Sequence, residues 1–107
     1  MLYTTPEFFQ ELLTLFEDWE GFSYRPAMGD YYLEYKNKTV GGVFANRFLI
    51  KITDASLKLL SPTAYCIPFP GAKEMLLVER RDPEFLKQLL EQTAEELPAE
   101  RRFYEDH

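Results

Sequence analysis

One cysteine, Cys66, and one histidine, at the final position, are all that the chain offers of the two most versatile catalytic and metal-ligating side chains. A lone thiol excludes an internal disulfide, and with it a small secreted domain stapled by such bonds. Without a thiol pair or a second histidine the usual zinc ligand sets have no counterpart, and a catalytic triad would need its imidazole from the last residue. Bases are missing from the first 24 residues, which carry five acids where a secretory leader would be basic. No apolar run reaches the roughly 20 residues of a membrane-spanning helix. The expectation is a cytoplasmic, non-enzymatic chain with no cofactor, no metal and no membrane contact.

What is present suits one folded domain over residues 1–107, since 46% of the side chains are hydrophobic and a chain of 107 residues can bury a core unaided. The net charge of −6 opposes polyanion binding by the whole surface. Charge is also unevenly placed. Residues 25–78 hold seven bases and four acids, between an acidic start and an end with nine acids and five bases.

Local patterns set out the elements. Thr5-Pro6-Glu7 opens a helix, with Thr5 as cap, Pro6 at the first position and Glu7 beside the positive end of the dipole. The stripe Phe8, Phe9, Leu12, Leu13, Phe16 and Trp19 follows at helical spacing and must be buried, and Gly21 ends it. Residues 24–29 read as a lead-in loop around Pro26 and Gly29. Three runs alternating at period two, 31–35, 39–44 and 47–52, then predict an antiparallel meander, its breaks marked by Asn37 and Asn46, which tolerate positive φ. In the third run Phe48, Ile50 and Ile52 form the core side. Gly41 and Gly42 indicate a bulge, curvature or a close neighbour rather than a phosphate cradle.

Thr53-Asp54 caps a short helix to about Leu60, and 64–67 and 74–78 read as two further strands. Asp82-Pro83-Glu84 repeats the first helix's opening before the amphipathic run Phe85 to Leu97, which Pro98 ends, and a charged tail from 99 to 107 is expected to fray. The order is helix, three-stranded meander, short helix, two strands, C-terminal helix, an α+β fold with helices on one side of the sheet. Phe48, Ile50, Leu77 and Leu89 are expected in one core.

Two constellations bear a functional reading. Tyr24, Tyr31, Tyr32 and Tyr35 interleave with Arg25, Lys36 and Lys38, a pattern that stacks bases only if the rings share a face, and their alternation places them on opposite faces. Arg25, Arg47, Lys51 and Lys73 gather into an anion site only if the fold brings them to one end of the sheet. Otherwise they are solvated strand charges.

The stretches Tyr24-Arg25-Pro26-Ala27-Met28-Gly29, Gly41-Gly42-Val43-Phe44, Arg47-Phe48-Leu49-Ile50-Lys51 and Pro70-Gly71-Ala72-Lys73-Glu74-Met75-Leu76-Leu77 resemble, in this order, the N-terminal domain of the TfoX/Sxy competence-regulator family. The resemblance runs from the first helix to Leu97. It implies an α+β fold similar to secretion chaperones and a bacterial regulatory role. Long members work with the cyclic-AMP receptor protein at promoters and carry a second helical domain. Here Met28 leads directly into Gly29 and Asp30, where many relatives have a Phe and paired glycines. The family supplies no agreed catalytic residues. The candidate binding residues, Arg25, Met28, Arg47, Lys51 and Lys73, all fall within the resembling stretches. The implied function is a protein-interaction or regulatory adaptor domain, with a small anionic-ligand module as the alternative. The expected partner is an unidentified protein or a second copy of the chain, without direct binding to duplex DNA.

Overall fold

The computed structural model describes residues 3–98, so the predicted tail lies outside the described residues. Along the chain run α1 (Pro6–Leu13), β1 (Phe22–Ala27), β2 (Asp30–Tyr35), β3 (Lys38–Val43), β4 (Phe48–Ile50), α2 (Asp54–Leu60), β5 (Tyr65–Cys66), β6 (Met75–Leu77) and α3 (Pro83–Glu96). All strand pairs are antiparallel, in the order β1-β2-β3-β4-β6-β5. The fold is α+β, as the pattern implies.

Residues 22–27, read in part as a loop, form an additional edge strand. Its central four residues are exposed, and Pro26 and Gly29 give the stretch the marks of a loop, but an edge strand tolerates a proline. Each of the first three hairpins turns on two residues with positive φ: Met28 (50°) and Gly29 (93°), Lys36 (52°) and Asn37 (67°), Ala45 (52°) and Asn46 (60°). Such turns match the right-handed twist of their strands.

The first helix is shorter than its apolar stripe. Thr14 Oγ1 donates to the Glu11 carbonyl at 2.7 Å, and the backbone tightens into bonds three residues back, such as Phe16 N to Leu13 O at 3.0 Å. Phe16 remains fully buried and Trp19 packs edge-on against it at 5.1 Å, so the stripe keeps its packing role beyond the helix.

All three helices cover one face. Phe9, Leu12 and Phe16 meet Leu33, Val43, Phe48, Ile50, Leu76 and Val78 of the sheet region and Leu86, Leu89 and Leu90 of α3. Phe48, Ile50 and Leu89 share this core as expected, but Leu77 does not. Leu76 pairs with Ile50 and takes the core position, while Leu77 pairs with Leu49 on the opposite face. Two adjacent leucines give periodicity no means of choosing the phase. Ile52 lies beyond the end of β4 and is 37% exposed.

The helix ends follow sequence signals except at two places, the end of α1, which stops at Leu13 and not at Gly21, and the start of α3. Thr53 and Ser56 form a reciprocal capping box at α2. Asp82 caps nothing: its carboxylate is held by Arg80 at 2.7 and 3.1 Å, and that hydrogen bonding keeps its pKa below the usual range. At the other end of α3 the Lys38 ammonium donates to the Ala94 and Leu97 carbonyls, both at 2.8 Å.

Candidate functional site

The sheet face away from the helices holds a laterally paired row, Arg25, Tyr32, Gly42, Leu49 and Leu77, one residue from each of five strands. Gly42 leaves a gap in that row, and the Phe44 ring fills it; a Cβ there would collide with the ring. The paired glycines thus mark a close neighbour, with a register shift beside them at Leu33/Glu34. Phe44 meets Tyr32 edge-on at 5.5 Å and Phe69 at 6.0 Å.

Phe69 belongs to the loop 67–74, which folds back over this face. Arg47 holds it there. Its Nη2 donates to the Ile67 and Pro68 carbonyls, each at 3.3 Å, while Nε donates to Phe44 O at 3.1 Å. Leu49 and Pro68 are buried beneath.

Two hollows flank this cover and share Tyr32 and Phe69. The larger, about 570 Å³, includes Lys51, Ile52, Lys73, Glu74 and Met75 in its lining. The smaller, about 350 Å³, has Tyr3, Met28, Asp30 and Phe44 around the shared pair. Thr4 and Thr5 bring the N-terminal segment to this end of the sheet: Asp30 Oδ1 accepts from Thr4 N (3.2 Å), Thr4 Oγ1 (2.9 Å) and Ala45 N (3.0 Å), and Asn46 Oδ1 accepts from Thr5 N (2.9 Å).

Of the five candidate residues, three line the hollows: Lys51 and Lys73 the larger, Met28 the smaller. Arg25 borders them, its Nε donating to Glu34 Oε2 at 2.9 Å and its guanidinium 4.6 Å from the Tyr32 ring centre. Arg47 is committed to carbonyls. The four cations therefore do not converge on one point. The tyrosines divide as their alternation requires: Tyr31 stacks on Phe9 at 3.7 Å on the helix side and Tyr32 faces away.

Tyr3, Asp30, Phe44 and Phe69 were not singled out by sequence. Only Phe44 had a local signal, the glycine pair before it; the other three arrive through contacts distant in sequence. Among the described residues no three His, Cys, Asp or Glu side chains are grouped to hold a metal, and no helix is long and apolar enough to cross a membrane. No family model matches the chain, and no curated protein or solved structure matches it either.

Proposed function

We propose that the chain is a non-enzymatic protein-interaction domain, a regulatory adaptor of the kind the TfoX/Sxy resemblance implies, and that it docks its partner on the helix-free face of the sheet. One observation carries the reading: Met28 (94% exposed), Phe69 (45%) and Ile52 (37%) line adjoining hollows joined through Tyr32. Single exposed apolar residues are ordinary, but a joined set marks a contact surface. The test is affinity enrichment from a bacterial lysate with the wild-type chain and with Phe69→Asp and Ile52→Asp, each variant first shown to melt cooperatively. A specific protein held by the wild type and lost from both variants supports the reading, and identical recovery from all three chains removes it.

The alternative, a small anionic ligand, is favoured by one feature, the presence of Lys51 and Lys73 in the same hollow. Glu74 in that lining and the commitments of Arg25 and Arg47 weaken it. Stabilisation by an anionic metabolite, lost in Lys73→Met, would favour this second reading.

A further inference from the structure

The smaller hollow differs chemically from the larger. Four aromatic rings, Tyr3, Tyr32, Phe44 and Phe69, surround it, and Asp30 is its one charged lining residue. All three hydrogen bonds that fix Asp30 arrive at Oδ1 and come from uncharged donors. No lysine or arginine among the described residues pairs with this carboxylate; the neighbouring Arg25 pairs instead with Glu34. An aromatic ring presents a negative face to a cation, and a carboxylate in an apolar hollow lacks only its counter-charge. The protein already shows the pairing alongside, where the Arg25 guanidinium lies 4.6 Å from the centre of the Tyr32 ring.

We propose that this hollow accepts an organic cation, the ammonium or guanidinium head of a lysine or arginine side chain on the docked partner. Tyr32 and Phe69 supply the aromatic contact and Asp30 the opposing charge. An anion would meet the Asp30 carboxylate, and a purely apolar side chain would further desolvate it without compensation. The proposal rests on the helix-free face being a docking surface, and it specifies what one part of that surface recognises.

The test follows amide chemical shifts of the isotope-labelled full chain during titration with choline, with N-acetyl-arginine amide, and with the neutral analogue of choline in which tert-butyl replaces trimethylammonium. Saturable shifts at Asp30, Tyr32 and Phe69 are expected from both cations, with affinity for the neutral analogue weaker by about tenfold or more. Asp30→Asn, which keeps an oxygen for the Thr4 and Ala45 donors, should abolish that preference while the rest of the spectrum is preserved. Tyr32→Ala should weaken both cations. Equal response to the neutral analogue, or no response at these residues, overturns the proposal. A partner captured by a chain that ignores the cations also overturns it and leaves the docking role standing. Cation binding without partner capture removes the docking role and keeps the selectivity of the hollow.

Discussion

Met28 combines two costs. It sits in the left-handed region at φ 50°, which disfavours side chains with a Cβ, and at 94% exposure it recovers almost nothing by burial. Asn is better suited to the first position of such a turn. Met28→Asn should therefore stabilise the fold by about 1 kcal/mol, read as a higher midpoint in urea. The same variant should hold the partner less well if the hairpin tip belongs to the docking surface, so stability and capture would move in opposite directions. The Leu76 and Leu77 pair shows the limit of sequence at this scale. Residues whose neighbours differ in polarity reveal their face, whereas two leucines in succession are resolved only by the cross-strand partner, Ile50 for one and Leu49 for the other.

Between elements, Lys38 joins the sheet to the end of α3. The last carbonyls of a helix lack partners within it, and a cation there satisfies both their hydrogen bonds and their partial charge. Lys38→Met keeps the aliphatic stem and removes the ammonium. It should cost about 1–2 kcal/mol, with hydrogen exchange accelerated first in the last turn of α3. Tyr35 makes a second link, its hydroxyl 3.4 Å from Glu91 Oε1 on α3. Burial raises the Tyr35 pKa above its ordinary value, and the charges and hydrogen bonding of Glu91, then the charge of Glu20, push the same way. The folded state thus prefers the protonated phenol. Its contribution is complete below the ordinary tyrosine value of about 10 and is lost as pH rises through the folded value. Urea midpoints across the alkaline range should fall less steeply for Tyr35→Phe than for wild type; parallel curves would contradict this. Most elements were legible in sequence because their signals are local: Thr5 and Thr53 cap helices, and asparagines mark two of the turns. β1 was hidden because Pro26 and Gly29 signal a loop whereas an edge strand tolerates a proline, and the start of α3 differed because the capping role of Asp82 was overridden by Arg80, two residues away.

Over the whole molecule, charge argues against nucleic acid. Of the seven bases between residues 25 and 78, Lys38 and Arg47 are spent on backbone carbonyls and Arg25 on Glu34. Duplex binding needs several convergent cations to displace counterions. With a labelled duplex at near-physiological salt, fluorescence anisotropy should stay flat well above micromolar protein; saturable, salt-sensitive binding would refute this. The candidate site was only partly legible at this scale. Of the residues picked out in sequence, Lys51 and Lys73 line one hollow and Met28 the other, but Tyr3, Asp30 and Phe69 reach the hollows through the N-terminal segment, a hairpin start and a crossing loop. No spacing rule links those three.

Pro26 has a consequence for how the molecule shares space with its own copies. Ala27 and Asp30 close the β1–β2 hairpin, and one residue further back Pro26 turns toward the open side of the sheet, where a proline has no hydrogen to offer. A strand arriving from another molecule would find a break in the donor row of the longer of the two sheet edges. At the opposite edge β5 offers only two residues. Neither border is a good template for polymer growth, so self-association, where it occurs, is directed to side-chain surfaces and can close at a finite number of copies instead of extending without limit.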